Sequence, residues 1–466
     1  MRGTRLAVAL AAAALLAPAP APLAAQAVVL SIEEAVERAL QHNPGYRRAV
    51  NELELSEYGV RGVWLNSILP TVSFSPLQST NMSWQRVVVA TDFFGNPLPN
   101  PETRMRQTSR SSQGAALSLS VNLQQFMQLQ QQHMLADERA RNLDVQSHAL
   151  RSQIVGMFLD VQERQLALEL EERLLETDRL HERHARHLFS IGRAGRIDVL
   201  SGELAVQQRE AQIGDGRAAL SITLLALRNA IGDPDLPADF EVEPAPIGLF
   251  DPDDLDAEAL VDRALASNPQ IRAGEASLET LRRGRSVDLS SWWLPTLSLS
   301  AGTSRQSFVE GSGGFFDLTP ESDWSRSISL AISFPDVGQY FQRRNALEQT
   351  DVGIRNQRET MRETSGQVEE QVRSRIVELR STYNGLLLQE RQIQLAEERL
   401  RLMQEEYLIG RHDLLQLEQA ANAVAQARRT ALQLRFGFER TKLDLERALG
   451  GPLALAAGAD GASDGR

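Results

Sequence analysis

The chain has 466 residues, of which 42% are apolar and 24% are charged, and this balance provides enough apolar material for a substantial core. The formal net charge of -12 argues against a nucleic-acid-binding protein, because such proteins use clustered Lys and Arg to neutralise phosphates. No cysteine is present, which excludes a disulfide framework, a thiol nucleophile and a lipid-acceptor cysteine.

The N-terminus has the pattern of a secretory signal peptide. Arg2 and Arg5 precede an apolar run, and small residues end this stretch at Ala27. The run is shorter than the roughly 20 residues that span a bilayer, so a cleaved signal at residues 1–27 is favoured over a membrane anchor. No later segment has about 18 consecutive apolar residues, so any membrane span is expected to consist of strands.

The rest of the chain is a duplication, first visible around two proline motifs. Asn43-Pro44 recurs as Asn268-Pro269, and Pro70 recurs as Pro295, with the same offset between the copies in both cases. Asn is a good helix N-cap and Pro is tolerated in the first helical position, so each Asn-Pro predicts a helix start. Pro70 and Pro295 each follow an apolar helix and precede a strand pattern, which predicts two helix-to-strand junctions.

A second register follows further along the chain. Gly192 recurs as Gly410 and Gly232 as Gly450, and these two pairs share an offset that is slightly smaller than that of the proline motifs. Apolar residues recur every seven positions between these landmarks and match at the same offset, which predicts long helices that supercoil against neighbours. The change of offset places a longer insertion in the first copy, between about residues 76 and 114.

Each copy is predicted to contain a short helix, a second helix, a β-hairpin, a very long helix, a tip and a last helix. The first copy spans 28–235, with the hairpin at about 70–123, the long helix at about 125–190, the tip at 190–197 and the last helix at 197–231. An acidic, Pro-rich linker is expected at 236–256. The second copy spans 257–452, with the hairpin at about 295–334, the long helix at about 339–408, the tip at 408–413 and the last helix at 414–449; residues 453–466 are expected to be a disordered tail.

The hairpin segments alternate apolar residues with serine or small residues, so one face of each strand is apolar and the other is polar. A half-buried sheet of a water-soluble protein would show the same alternation. All five Trp lie in or near these segments, however, as in the aromatic girdle of an outer membrane protein, and this favours transmembrane strands. Four strands are too few for a barrel, and strand edges cannot stay unpaired in lipid, so the barrel must be shared among chains.

The repeated Asn-Pro motifs, the two helix-Leu-Pro-Thr-strand junctions and the two tip segments, in this order, resemble the TolC-like outer membrane efflux proteins. The tip segments are Phe189-Ser190-Ile191-Gly192 and Tyr407-Leu408-Ile409-Gly410. The resemblance implies an α+β fold in which duplicated long helices form a coiled-coil tunnel. It further implies a homotrimer whose four transmembrane strands per chain complete a 12-stranded barrel in the lipid of the outer membrane, with the tunnel extending into the periplasm.

The same resemblance implies the roles of particular residues at the tip. By position, Asp198 matches the constricting acid of the family and Tyr407 its aperture tyrosine, while Arg411 lies one place from its aperture arginine. Adaptor contacts are implied for the tip residues Ile191, Gly192, Arg193, Ile409 and Gly410. The second tip is about three residues shorter than the first, which is a departure from the family pattern.

Three histidines, His181, His184 and His187, form the densest titratable cluster of the sequence. Steps of three residues turn about 60° away from one helical face, so one metal ion cannot bind all three, and a solvated polar face is favoured over a metal site. No catalytic or phosphate-binding motif is present, so no enzymatic activity, cofactor or metal is expected.

The expected function is that of the outer membrane channel of a tripartite efflux or type I secretion system. Such a trimer would be a passive duct that a periplasmic adaptor joins to an inner-membrane pump. The alternative is a soluble periplasmic coiled-coil adaptor or scaffold protein with a small β domain, which would be extractable without detergent.

Overall fold

The computed structural model describes residues 29–89, 91–99, 102–237, 240–244, 247–310, 324–409, 411 and 414–453. The predicted signal peptide and, apart from Leu453, the predicted tail lie outside these residues. The predicted fold class, α+β with long helices and one antiparallel sheet of four strands, is confirmed.

The elements of the two copies follow the same order. Those of the first copy are β1 (Val29–Leu30), α1 (Ile32–His42), α2 (Pro44–Ile68), β2 (Thr71–Val88), β3 (Glu102–Asn122), α3 (Leu123–Ser190) and α4 (Arg196–Ile231). After β4 (Glu241–Val242), which pairs in parallel with β1, the second copy has α5 (Ala257–Ser267), α6 (Pro269–Ser290), β5 (Thr296–Glu310), β6 (Trp324–Ser333), α7 (Tyr340–Leu408) and α8 (Leu414–Leu449). No helix in the described residues is both long and apolar enough to span a lipid bilayer.

The chain divides into two compact units. The first contains Met1–Val50, Leu143–Ile271 and Thr364–Arg466, and the second contains Asn51–Asn142 and Arg272–Glu363. Because of the duplication, each copy contributes helices to the first unit and a pair of strands to the second.

Two apolar clusters of the first unit are equivalent in the two copies. In the first cluster, Ile154 and Val161 of α3 are fully buried among residues of α1 and α4. In the second cluster, Val372 and Leu379 of α7 are fully buried among residues of α5 and α8. These four residues are equivalent heptad positions of the two copies, so the apolar periodicity of the long helices marks the faces that pack within the chain.

The Asn-Pro motif of each copy joins two helices that are far apart in sequence. The Asn43 side chain caps α2 by accepting hydrogen bonds from the N–H groups of Gly45 and Tyr46, at 2.9 and 3.0 Å. Its amide nitrogen also donates to the backbone oxygen of Ala230, in the last turn of α4, at 2.6 Å. One asparagine therefore satisfies both the free N–H groups at the start of α2 and a free carbonyl at the end of α4.

Asn268 makes the same bonds in the second copy. It caps α6 through the N–H groups of Gln270 and Ile271 and donates to the oxygen of Ala448 in α8 at 2.8 Å.

The end of α8 is followed by Gly450, whose φ of 73° is in the left-handed region that favours glycine. A Cβ at Gly450 would lie 2.6 Å from the backbone oxygen of Ser267, so glycine is also required by the close approach of this turn.

We expect Asn268→Ala to lower the free energy of unfolding by about 1–2 kcal/mol, because the change removes a helix cap and leaves the Ala448 carbonyl without its side-chain donor. Thermal unfolding of the detergent-solubilised protein, followed by circular dichroism, measures the effect. Asn43→Ala should cost less because Asn43 is only half-buried, whereas Asn268 is 4% exposed. The exposed Asn384 of α7 provides the control, and a loss as large for Asn384→Ala would contradict the capping role.

Candidate functional site

The sheet of the second unit has one apolar face. Its strands are all antiparallel in the order β2-β3-β5-β6. The register places apolar residues side by side across the strands, in the rows Val72-Leu117-Ala301-Ile328, Leu119-Leu299-Leu330 and Val121-Leu297-Ile332. Residues in one row lie on the same face, so these rows form a continuous apolar band.

The opposite face of the sheet carries serine. Ser118, Ser300 and Ser329 form one row, and the hydroxyl oxygens of Ser300 and Ser329 are 2.6 Å apart. The next row in the direction of the helices contains Ser120 and Ser298. A sheet with one apolar and one polar face is suited to separate lipid from water.

The apolar band has no cover in the described part of the chain. Ile328 is 81% exposed, and Leu330, Ile332 and Val72 are also exposed. Strand β6 has 10 residues, which agrees with the roughly 9–11 residues that a tilted strand needs to cross a bilayer. The predicted alternation is thus present in the structure, and it produces an uncovered apolar surface.

Aromatic residues lie near the two ends of β6. At the end near the helices, Trp292 is in edge contact with Tyr340 at 5.3 Å, and Tyr340 is in edge contact with Phe341 at 5.6 Å. Trp324 begins β6 at the other end and is exposed. Aromatic residues at both ends of an apolar strand are typical of membrane interfaces.

The two predicted junction prolines stand directly between helix and strand. Pro70 follows α2 and precedes Thr71, the first residue of β2; Pro295 precedes Thr296, the first residue of β5. Leu294 still makes a helical hydrogen bond, from its N–H to the Ser290 oxygen. Proline cannot donate such a bond, so the helical pattern stops there.

The predicted tips of the first unit end their helices in the same way. The N–H of Arg193 donates to the Leu188 oxygen, and Gly192 has a φ of 74°, which together form a glycine-based helix ending. At the second tip, the N–H of Arg411 donates to the Glu406 oxygen, five residues back, as in the first tip. Arg193 and Arg411 therefore occupy equivalent positions after their helices. The prediction of a shorter second tip is wrong, because the helix bounds leave five positions at each tip, between Ser190 and Arg196 and between Leu408 and Leu414.

Several of the predicted adaptor-contact residues are exposed: Ile191, Gly192, Arg193 and Ile409. Gly410, the remaining one, lies outside the described residues. The predicted aperture residues differ in exposure, since the Arg411 side chain is exposed whereas Tyr407 is only 7% exposed.

Tyr407 lies where three helices meet. It forms an apolar cluster with Ala185 of α3 and with Leu414 and Leu417 of α8. Its ring is in edge contact with the ring of His184, at 6.0 Å between centroids. Burial, together with the negative charges of Asp198 and Glu418, raises the pKa of the Tyr407 phenol, so Tyr407 stays neutral.

Asp198, the predicted constricting acid, is near Tyr407 but has a structural partner of its own. One of its carboxylate oxygens accepts a hydrogen bond from the Gly195 N–H at 2.8 Å, at the start of α4. A carboxylate in the first turn of a helix is also favoured by the helix dipole. In the described part of the chain, no ion pair joins Asp198 to Arg411. Of the three predicted aperture residues, the structure brings together only Asp198 and Tyr407, whose phenol the charge of Asp198 affects.

Sequence reasoning missed a buried ionic network next to this cluster. Arg209 of α4 is paired with Asp178 and with Glu171 of α3, each at 2.8 Å. Arg429 of α8 binds the same Glu171 at 2.5 Å. The two arginines lower the pKa of Glu171 against the opposing effect of burial, which is the largest single influence on this carboxyl. The network ties α3, α4 and α8 together.

The interpretation of the three histidines as a solvated face is wrong for His184. Its Nε2 atom is buried, whereas His187 is exposed as expected. The reason is that α3 packs against α7 and α8 here, which a heptad count on α3 alone does not reveal. No group of three or more His, Cys, Asp or Glu in the described residues is arranged to hold a metal ion.

Residues 260–451, nearly all of the second copy, match the family model of the outer membrane efflux proteins. This part of the chain is therefore similar to the outer membrane efflux proteins. This match confirms the predicted resemblance to the TolC-like proteins and the predicted location in the outer membrane with a periplasmic extension. The family consists of channels, not enzymes, and a channel is favoured over the scaffold alternative.

Solved outer membrane channels have the same fold along most of the chain. The outer membrane protein VceC of Vibrio cholerae has 16% identity, a TM-score of 0.65 and coverage of 90% of this chain and 96% of that one. The CmeC outer membrane channel of Campylobacter jejuni has 13% identity, a TM-score of 0.67 and coverage of 90% and 85%. The open state of the MtrE outer membrane channel of Neisseria gonorrhoeae has 19% identity, a TM-score of 0.63 and coverage of 91% and 89%. No curated protein matches the chain.

We expect Leu330→Lys, on the apolar face of β6, to reduce the stability of the protein in lipid vesicles by about 2–4 kcal/mol, because a lysine would meet the bilayer interior. Ser329→Lys is the control, since Ser329 is the neighbouring residue on the serine face. Urea titration of the protein folded in vesicles measures both. An equal cost for the two variants would show that the apolar face does not meet lipid.

Proposed function

We propose that the chain is a passive export duct of the outer membrane that works as a homotrimer. An inner-membrane pump would deliver the substrate through a periplasmic adaptor, in a tripartite efflux or type I secretion system. The observation that carries this proposal is the uncovered apolar band on the four-stranded sheet of the described chain.

The edges of the sheet support the shared barrel. Within the described residues, β2 pairs only with β3, and β6 pairs only with β5. Unpaired N–H and C=O groups are too costly in lipid, so the outer edge of β2 would pair with β6 of another copy. Three copies with four strands each would close a barrel of 12 strands.

Two exposed apolar stripes in the first unit support the same assembly. On α4, exposed apolar residues recur every seven positions, at Ile197, Leu204, Ala211, Ala218 and Leu225. Along α7 and the residue that follows it, a second stripe with the same spacing contains Leu388, Leu395, Leu402 and Ile409. Heptad stripes of this kind are coiled-coil seams, and neither stripe is covered within the described chain.

The duplication predicts how these stripes pair. Within the chain, α8 packs on α3 in antiparallel register: Leu443 lies 3.9 Å from a Cβ built on Gly156, and Arg429 binds Glu171. By the repeat offset that relates Gly192 to Gly410, α3 of the first copy is equivalent to α7 of the second, and α4 of the first copy is equivalent to α8 of the second. Gly156 and Leu443 then become Ser374 and Leu225, which would meet when α7 and α4 come from neighbouring copies.

This register brings the two stripes together along their length. Continuing it toward the tip places Ala211 opposite Leu388, Leu204 opposite Leu395 and Ile197 opposite Leu402. The small Ala211 faces a large leucine, as interdigitating helices require. Each copy would thus use α4 to cover α7 of its neighbour, in the same way that α8 covers α3 within the chain.

The tips are the proposed adaptor-binding surface. Each has an exposed apolar residue, Ile191 or Ile409, followed by glycine and an exposed arginine, Arg193 or Arg411. Because the two tips share this arrangement, a trimer would present six similar surfaces. An adaptor with an apolar contact and an acidic group could bind all of them.

We expect the variant with Leu204→Cys and Leu395→Cys to form covalent trimers when oxidised in isolated outer membranes. The chain has no native cysteine, so every bond formed would be between these positions. A disulfide needs Cα atoms within roughly 7 Å, which makes the test specific for the proposed register. Non-reducing gels of the detergent extract measure the product.

The matched control for this test replaces Leu395→Cys by Gln394→Cys, an exposed residue that lies about 100° around the α7 helix from Leu395. This control should remain monomeric on the same gels. Extraction of either protein without detergent, or a covalent product confined to dimers, would support the scaffold alternative instead.

We further propose that Asp198 and Arg411 help to hold the tip closed in the trimer, Arg411 by a contact with a neighbouring copy. The double variant with Asp198→Ala and Arg411→Ala should then have a higher single-channel conductance than the wild type in planar bilayers. Arg193→Ala serves as the control for loss of one tip charge. Unchanged conductance of the double variant would exclude these residues as the latch.

A further inference from the structure

Three buried polar atoms without a hydrogen-bond partner lie near the tip. In the part of the chain that the structure describes, these are Nε2 of His184, the hydroxyl oxygen of Tyr407 and one carboxylate oxygen of Glu418. They come from three helices, α3, α7 and α8, and Tyr407 interacts with both of the others. Buried polar groups are almost always paired in folded proteins, so three such atoms in one cluster indicate a functional constraint.

The neighbouring carboxylates already have partners, which sets Glu418 apart. Asp178 is paired with Arg209 at 2.8 Å, and Asp198 accepts the Gly195 N–H at 2.8 Å. Both act electrostatically on Glu418. Burial first, and then the charges of these two aspartates, raise the pKa of the Glu418 carboxyl.

The other titratable groups that face the cluster are His181, His184 and Tyr407. Burial lowers the pKa of His181, although the charge of Asp178 opposes this and that of His184 adds to it. The phenol of Tyr407 has a raised pKa and remains a neutral group that can donate a hydrogen bond. Arg209 is committed to Asp178 and Glu171.

The duplication offers an internal comparison, because the equivalent positions of the other copy carry apolar side chains. With the offset that relates Gly192 to Gly410, His184 corresponds to Leu402, Tyr407 to Phe189 and Glu418 to Leu200. Leu402, Phe189 and Leu200 are exposed in the single chain, whereas the polar atoms of His184, Tyr407 and Glu418 are buried. The equivalent residues therefore form no corresponding buried cluster within the described chain.

We propose that Glu418 is the proton-binding group of a pH-sensitive switch in the tip. Protonation would favour the packed arrangement of α4, α7 and α8, because a neutral carboxyl can donate a hydrogen bond to Asp198 or to the Tyr407 hydroxyl. Ionisation would favour separation of these helices, because it adds a third negative charge beside Asp178 and Asp198. The switch rests on the proposed channel function, since the tip controls flow only if the chain forms a duct.

The direction of the pH effect follows from linkage. Since the pKa of Glu418 is raised on packing, its stabilisation of the tip is complete below the ordinary value of 4.5 and is lost as pH rises through the raised value. His181 acts in the opposite direction: its pKa is lowered on packing, so its stabilisation is present above 6.5 and is lost as pH falls through the lowered value. Variants are needed to separate the two groups.

The first test is hydrogen–deuterium exchange of the trimer in detergent over a series of pH values upward from 4.5, because ionisation of Glu418 loosens the tip. Glu418→Gln mimics the protonated carboxyl and should slow exchange in the peptides that cover residues 400–425. Glu390→Gln makes the same charge change on the exposed surface of α7 and should leave exchange in these peptides unchanged. Equal exchange in wild type and Glu418→Gln would overturn the proposal whether or not the protein conducts ions.

Single-channel conductance provides the second test. Wild type should conduct more as pH rises above about 4.5, and both Glu418→Gln and Glu418→Leu should lose this rise and stay at the low conductance. His181→Gln should keep it. A channel that conducts with the same pH profile in wild type and Glu418→Gln contradicts the switch alone, whereas failure of all variants to conduct contradicts the proposed duct.

Discussion

The need of backbone N–H and C=O groups for hydrogen-bond partners is the constraint on which the rest of the structure depends. In the four-stranded sheet, the inner strands β3 and β5 are paired on both sides. In the described chain, β2 and β6 each have a partner strand on one side only. Water could solvate these edges, but lipid cannot. Because the apolar band is suited to lipid, this requirement favours pairing of the sheet edges with those of further copies, and it is the physical basis of the proposed trimer.

Because the chain is duplicated, the same contact between helices occurs in both copies. The Asn-Pro motif caps one helix and binds the end of another in both copies, through Asn43 and Asn268. The proposed assembly also uses one kind of contact twice. Helix α8 packs on α3 within a chain, and α4 of one chain is proposed to pack on α7 of the next in the same way. The contacts within a chain and the contacts between chains would then have the same helix register.

The sequence was sufficient for the fold because the decisive patterns are local. The serine alternation, the prolines at positions 70 and 295 and the heptad spacing each determine an element within a few residues. The candidate site was less predictable, since its contacts join distant residues: Asn43 binds Ala230, and Tyr407 meets His184. A heptad count considers the histidines on one helix alone, so it misses the burial of His184 against a second helix.

The comparison of the two copies gives a signal that could have found the cluster. Where both copies have apolar residues at equivalent heptad positions, packing alone explains them, so a position that is apolar in one copy and ionisable in the other marks a departure from the packing pattern. His184 against Leu402 and Glu418 against Leu200 are such positions, and both belong to the buried cluster. A duplicated chain thus contains its own reference for the residue type at each heptad position, and buried ionisable residues that replace apolar ones are candidates for control of the tip.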